Sequence, residues 1–199
     1  MKKNLILIAV LLISIANYGQ KKKVATKAPV AKGTPSIAKV DNLVAEVKNG
    51  NFQISIVEKG KTTDAITVKS VDSKFAPVDG KLTAFTANGA KLYLLTWTEK
   101  TATKTDLKTE DIATIYSQVY EISSKTQVFS NFQTTNNIVE KVFLDKLKNA
   151  SETQEKVRRE GFVFTLNPDG SIVQKSKNQE NKWVYDAAAV KYVDAKKKK

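Results

Sequence analysis

Hydrophobic and polar residues alternate along much of the chain from residue 41 onward. Phe52, Ile54 and Ile56 are separated by Gln53 and Ser55, and in an extended backbone such neighbours point to opposite faces. A period of two, with one apolar and one polar face, is typical of a half-buried β-strand. The pattern therefore predicts a sheet protein in which each strand turns one face to a core.

Turn residues divide this pattern into hairpins. Asn-Gly or Asp-Gly pairs occur at Gly50, Gly80, Gly89 and Gly170, and such pairs tolerate the positive φ angles of tight turns. Three of the pairs lie between apolar runs, which predict hairpins joining residues 43–47 to 52–56, 82–86 to 92–98, and 162–166 to 172–173. Short β-branched or aromatic runs predict further strands at residues 65–71, 128–132, 183–185 and 190–193.

Three segments carry helical features. Residues 112–122 have apolar side chains at helical spacing, but Ile, Thr, Tyr and Val favour strands, and we interpret this segment as a strand. Residues 138–147 fit either a strand or the first half of a helix. A short helix is predicted over residues 151–160, because residues 151–154 fit a capping box and Gly161 can end the helix.

These elements predict a mainly β fold. We expect a single antiparallel β-rich domain over residues 41–195, built as a sandwich or an open barrel, with one short helix near residues 151–160. A chain of ~150 residues can bury ~70% of its unfolded surface. The domain can therefore build a core without disulfides, in agreement with the absence of cysteine.

Both ends of the chain differ in composition from this domain. Residues 1–19 have a basic start and an apolar run, which indicate a signal peptide cleaved after Ala16 or Gly19. The apolar run covers only ~18 Å of a hydrocarbon core ~30 Å thick, so we expect no stable membrane span after cleavage. Residues 20–40, rich in Lys, Ala and Pro, predict a disordered spacer, and residues 196–199 form a lysine tail.

The positive charge is concentrated at these ends. The chain has 33 Lys and Arg against 20 Asp and Glu, a formal net charge of +13. Between residues 41 and 195 the two signs nearly balance and are mixed along the chain. A folded nucleic-acid site needs several cations on one face, so no specific nucleic-acid partner is expected. Lysine-rich ends suffice for solubility, and an anionic envelope polymer is the alternative partner.

The composition also restricts the chemistry. The chain has no His and no Cys, which excludes histidine-based nucleophile systems and the usual zinc sites. Paired carboxylates or a Ser-Lys pair stay formally open, but the acids are scattered among lysines and the Ser-Lys sequences have ordinary turn composition. We expect no enzyme activity, no catalytic or metal-binding residues and no cofactor.

Aromatic residues provide the only candidate site. Tyr93 and Trp97 fall on one face of a predicted strand, and Trp183 and Tyr185 on one face of another. Such rows can line a ligand pocket. Aromatic residues at a period of two are also the ordinary core of a sheet, and the second interpretation is favoured.

The beginning of the chain resembles the signal peptides of small exported proteins of Bacteroidota. The shared features are the Lys-Lys-Asn start, the Ile and Leu core, the Tyr-Gly-Gln end and the lysine-rich spacer. The resemblance implies export to the periplasm or the medium. It assigns no functional residue.

We therefore expect an exported, non-catalytic module of the cell envelope or secreted fraction, with a binding or structural role. One alternative is a small-ligand-binding β domain that uses the four aromatic residues. The other is a protein that binds anionic polymers or lipopolysaccharide through its lysine-rich tails.

Overall fold

A computed structural model of the chain describes residues 36–197, which fold as antiparallel β-strands in three meandering sheets. The N-terminal sheet contains β1 (Ser36–Val40), β2 (Leu43–Lys48), β3 (Asn51–Glu58) and β4 (Lys61–Ser70). The central sheet contains β5 (Val78–Ala87), β6 (Ala90–Lys104), β7 (Lys108–Glu121), β8 (Thr126–Phe143) and β9 (Ser151–Gly161). The C-terminal sheet contains β10 (Val163–Leu166), β11 (Ile172–Lys175), β12 (Glu180–Asp186) and β13 (Lys191–Asp194).

The alternating pattern of the central strands produces two cores. On β6, Leu95 and Trp97 face the N-terminal sheet and pack with Phe52 and Ile54 in what we call the N-terminal core. The even-numbered Leu92, on the opposite face, packs with residues of the C-terminal sheet in the C-terminal core. The fold is therefore sandwich-like, with the central sheet as the middle layer, and the predicted β-rich class is confirmed.

A buried polar chain ties the C-terminal sheet to the central sheet. The indole N–H of Trp183 donates to Oε1 of Gln174 at 2.8 Å, and Nε2 of Gln174 donates to Oδ1 of Asn131 at 2.8 Å. Nδ2 of Asn131 donates to the carbonyl of Phe162 at 2.9 Å. Each polar group in this series of hydrogen bonds has a partner, as buried polar groups require.

The three predicted hairpins are present. In the β2–β3 turn Asn49 and Gly50 have φ of 51° and 73°, and in the β5–β6 turn Asn88 and Gly89 have 47° and 79°. Two successive positive φ values are typical of the type I′ turn that Asn-Gly favours. Gly80 instead lies within β5 at a break in register, where a Cβ atom would overlap the Ile37 side chain of β1.

The predicted helix over residues 151–160 is wrong. These residues form β9, which pairs with β8 along its whole length from Gln133–Gly161 to Phe143–Ser151. Val157 is the only large apolar residue in the segment, so a helix would have no apolar stripe to bury, and an isolated helix of ten residues is marginal in water. Pairing with β8 instead satisfies the backbone groups of every second residue of the segment.

Other boundaries also shift. The segment over residues 112–122 is a strand, as interpreted, and β7 contains all of it except residue 122. Residues 138–143 belong to β8, and residues 144–147 to the following turn region. The predicted spacer over residues 20–40 extends too far, because Ser36–Val40 pairs with β2 as a strand. A 3-10 turn at Ala195–Lys197 follows β13. The signal peptide, the rest of the spacer and the end of the lysine tail lie outside the described residues.

Strands β6 to β9 continue beyond the cores as an arm, which we define as residues 99–115 and 133–161. Neither core contains a residue of this segment, and Ile138 is its only buried apolar side chain among the described residues. From Gln133 to Phe143 the arm extends about 33 Å at about 3.3 Å per residue. The arm is a sheet whose two faces are left largely to solvent.

Candidate functional site

Tyr93 and Trp97 lie in the N-terminal core. Trp97 is 1% exposed and stacks on Tyr116, with ring centroids 4.8 Å apart. Its indole N–H donates to Oε1 of Glu99 at 2.8 Å. The Tyr93 ring is buried, and its hydroxyl donates to Oδ2 of Asp41 at 3.1 Å. Both residues thus pack as core aromatic side chains with satisfied polar groups.

Trp183 and Tyr185 lie in the C-terminal core, on the other side of the central sheet. Trp183 is half-buried against Phe129, and Tyr185 is buried against Tyr192. Tyr185 also lines a cleft of about 290 Å³ beside Asn88. The four predicted residues therefore form two separate pairs, and the structure does not bring them to one site.

A polar cleft of about 370 Å³ lies where the N-terminal sheet meets the base of the arm. Nζ of Lys69, on β4, lies 2.9 Å from Oε1 of Glu99, on β6, and this ion pair connects the two sheets. The ammonium group of Lys69 also lies over the rings of Phe75 and Tyr116, at 5.1 and 5.7 Å from their centroids. Lys69 is thus held by a carboxylate and two aromatic faces.

The acids of this cleft already have structural partners. Glu99 accepts hydrogen bonds from Lys69 and Trp97. Asp72 accepts the backbone N–H of Lys74 at 2.9 Å, which stabilises its own turn. Among residues 36–197, no group of three or more acidic side chains could hold a metal ion. The cleft holds Lys69 in place, but its carboxylates, Glu99 and Asp72, already form hydrogen bonds that stabilise the fold.

The arm exposes apolar side chains at its far end. Leu107 is 47% exposed, Leu144 62% and Leu147 81%. The amide N–H of Lys141 donates to the carbonyl of Leu107 at 2.8 Å, which holds the β6–β7 turn beside the end of β8. The three leucines therefore lie in two adjacent turns, and we call residues 104–108 and 141–150 the tip.

Lysines surround the leucines of the tip. Lys104, Lys141, Lys146 and Lys148 are all exposed. The ammonium groups of Lys141 and Lys148 lie 5.8 and 5.4 Å from the centroid of the Phe143 ring. Asp145 is the acid of the same turn, and it accepts the backbone N–H of Asn149. The tip thus combines exposed apolar side chains with flexible cations.

Two ion pairs lie on one face of the arm. The ammonium group of Lys108 lies 3.0 Å from Oε1 of Glu110, and this hydrogen bond lowers the pKa of Glu110. Lys156 hydrogen-bonds to Glu140 across the β8–β9 pair and lowers the pKa of Glu140. Arg158 adds a smaller electrostatic contribution in the same direction at both carboxyl groups. Lys108 and Lys156 are therefore paired on this face, whereas the buried Oδ1 of Asn136 accepts no hydrogen bond within residues 36–197.

Sequence reasoning missed the arm. Its strands lack the clear apolar alternation that marks a half-buried strand, as residues 99–104 show. A usable signal was present, since strand-favouring Thr and Ile recur at residues 101–115, and Thr and Val at residues 133–143, without enough apolar residues for a core. Such a composition indicates a sheet exposed on both faces.

No helix in residues 36–197 has the length and apolar character needed to cross a bilayer. No protein-family model, curated protein or solved structure matches the chain.

Proposed function

We propose that this chain is an exported, non-catalytic module that works by docking with its arm. The supporting observation is the arm itself, a sheet that adds to neither core and ends in exposed leucines and lysines. A monomeric protein has no folding reason to hold such side chains together on a projection, and exposed apolar groups of this kind mark interaction sites.

The chemistry of the tip favours an anionic lipid surface as the target. Leu144 and Leu147 can enter the interfacial region of a bilayer, while Lys146 and Lys148 remain at the level of the phosphates. Each lysine near an anionic surface contributes about 1 kcal/mol. The envelope or secreted location expected from the first nineteen residues provides such surfaces.

The test is flotation of the chain beginning at residue 20 with vesicles of phosphatidylglycerol and phosphatidylcholine, and with vesicles of phosphatidylcholine alone. We expect binding to the anionic vesicles only. The double variant Leu144→Ser/Leu147→Ser should bind at least about thirtyfold more weakly, because burial of each leucine contributes about 1–2 kcal/mol at an interface and about 1.4 kcal/mol is tenfold in affinity. The control Val163→Ser removes an apolar side chain that is 50% exposed outside the arm, and should bind normally.

A deletion variant distinguishes binding by the tip from binding by the lysine-rich tails. Because Ser36–Val40 is a strand, a tail deletion has to stop at residue 35. The variant lacking residues 21–35 should keep most of its binding if the tip is the contact. Full binding by the leucine variant together with loss in the tail deletion would contradict the tip and favour the tails.

The small-ligand alternative rests on a narrower observation. Of the four predicted aromatic residues, Tyr185 lines a cleft, next to Asn88 and Gly170. This alternative predicts a ligand that co-purifies in native mass spectrometry and is lost in Tyr185→Ala. A spectrum of the protein alone would count against it.

A further inference from the structure

Within residues 36–197, strand β9 forms one edge of the central sheet and pairs only with β8. The opposite edge strand, β5, contacts β1 of the N-terminal sheet. By contrast, every residue of β9 except Gln154 is exposed. An edge strand of eleven residues that no other described segment covers is an available template for another strand.

The β8–β9 ladder fixes which backbone groups of β9 are free. The N–H of Leu144 donates to the carbonyl of Ala150 at 3.0 Å, and the N–H of Phe162 donates to the carbonyl of Phe132 at 3.2 Å. The pairing between these bonds has no register shift, and bonded and non-bonded pairs alternate in an antiparallel ladder. Even-numbered residues of β9 therefore bond to β8, and odd-numbered residues direct their N–H and C=O away from the sheet.

On one face of β9, the odd-numbered residues include two charged side chains that form no ion pair within residues 36–197. Glu155, Val157 and Arg159 lie opposite Val139, Asn137 and Thr135 of β8. Neither Glu155 nor Arg159 forms an ion pair within residues 36–197. Val157, between them, is 53% exposed. An acid and a base thus flank an apolar residue symmetrically along a free edge.

We propose that β9 pairs antiparallel with β9 of a second copy of this chain, with Val157 opposite Val157. In this register Glu155 of each copy lies opposite Arg159 of the other, on the same face. Opposite charges and apolar groups placed directly across a ladder are stabilising. The inference goes beyond the proposed function, since it concerns the edge of the arm and not its tip.

On the face that carries Glu155, Val157 and Arg159, only this register places each glutamate opposite an arginine. Centring the pair on Glu155 places two glutamates against each other, and centring it on Lys156 does the same for two lysines. In the proposed register Lys156 lies opposite Arg158 of the second copy, on the other face. That face tolerates the pairing because Glu140 hydrogen-bonds Lys156 and lies with Glu110 near Arg158. Isologous pairing of one strand with itself closes as a dimer.

Sedimentation equilibrium of the chain beginning at residue 20 tests the proposal through two charge reversals. Glu155→Arg places arginine opposite Arg159, and Arg159→Glu places glutamate opposite Glu155. Each variant alone should dimerise at least about tenfold more weakly than the unmodified chain. An equimolar mixture should recover dimers, because the heterodimer restores both pairs. Lys59→Glu, in the exposed β3–β4 turn, is the control and should leave the dimer intact.

The outcomes separate cleanly. A monomeric unmodified chain at about 100 µM would overturn the proposal and would mean that the charges of β9 protect an edge from pairing. Single variants that still dimerise would place the contact elsewhere, and a monomeric mixture would exclude this register. Hydrogen exchange adds an independent measurement, since the amides of Thr153, Glu155, Val157 and Arg159 should gain protection with concentration. Neither method involves vesicles, so failure here leaves the proposed function untouched.

Discussion

Two glycines of this protein share a backbone conformation but not an environment. Gly161 and Gly60 have φ of 78° and 79°, a region that L-residues enter at a cost of about 1–2 kcal/mol. A Cβ atom at Gly60 would meet nothing within 4 Å, whereas one at Gly161 would overlap the carbonyl oxygen of Phe132. Position 161, where the chain passes from β9 to β10, therefore requires glycine for two reasons. The backbone has a positive φ, and the carbonyl oxygen of Phe132 leaves no room for a Cβ atom.

The pair gives a matched test of backbone contact. Gly60→Ala should lower the free energy of unfolding by about 1–2 kcal/mol, the cost of the positive φ alone. Gly161→Ala should cost at least about 1 kcal/mol more, because the neighbouring strand must move. Urea denaturation of both variants measures the difference. Equal losses would mean that the β9–β10 bend relaxes freely.

Gln174 is the middle residue of the buried polar chain. Gln174→Met keeps the volume but leaves the indole N–H of Trp183 and Oδ1 of Asn131 without their partners. An unsatisfied buried group costs about 1–3 kcal/mol, so we expect a loss of about 2–4 kcal/mol in the free energy of unfolding. Gln179→Met, at an exposed amide, should change it by less than about 0.5 kcal/mol. A neutral Gln174→Met would show that water replaces the missing partners.

Tyr120 makes stability depend on alkaline pH. Burial raises the pKa of its hydroxyl far above the usual value of 10.0. Above pH 10 the unfolded chain loses this proton while the folded chain keeps it, so stability falls as pH rises. One such group removes about 1.4 kcal/mol between pH 9 and pH 11. Between pH 9 and pH 11, the free energy of unfolding of Tyr120→Phe, measured by urea denaturation, should therefore fall by about 1.4 kcal/mol less than that of the unmodified chain. An identical decline in both proteins would contradict the raised pKa of Tyr120.

Among the secondary-structure elements, β9 shows a conflict between its local sequence, which favours a helix, and its pairing with β8, which requires a strand. The residues from Ser151 to Gln154 fit a capping box, and Gly161 fits a helix stop, yet β8 supplies a long partner that the sequence around residue 151 does not reveal. The Asn-Gly turns were predictable because their backbone angles depend on two residues only. Pairing between distant segments, which creates the arm, depends on the whole sheet.

The arm should be removable without loss of the fold. Replacing residues 102–111 and residues 137–157 by Asn-Gly turns closes both hairpins on bonded pairs, Thr101–Ile112 and Asn136–Arg158. The free energy of unfolding should change by about 2 kcal/mol or less, since Ile138 is the only buried large side chain that is lost from the described arm. Loss of cooperative thermal unfolding would show that the arm belongs to the folding unit.

At the scale of the molecule, the class of fold was readable from alternation and turns, but the layering was not. The two sides of β6 both bury apolar residues, as Leu92 and Leu95 show, and this identifies a middle layer only when both covering sheets are known. The predicted aromatic residues divide between those two cores for the same reason. A site can be predicted from strand faces only when it is known which faces of which sheets meet in the fold.

If the arm is the docking surface, as proposed above, its removal abolishes binding to anionic vesicles. Flotation of the full chain from residue 20 and of the arm-shortened variant, side by side on phosphatidylglycerol vesicles, tests it most directly. We predict that the full chain floats with the vesicles and that the shortened variant, folded as judged by its circular dichroism, stays at the bottom of the gradient. Equal flotation of both proteins would contradict the claim.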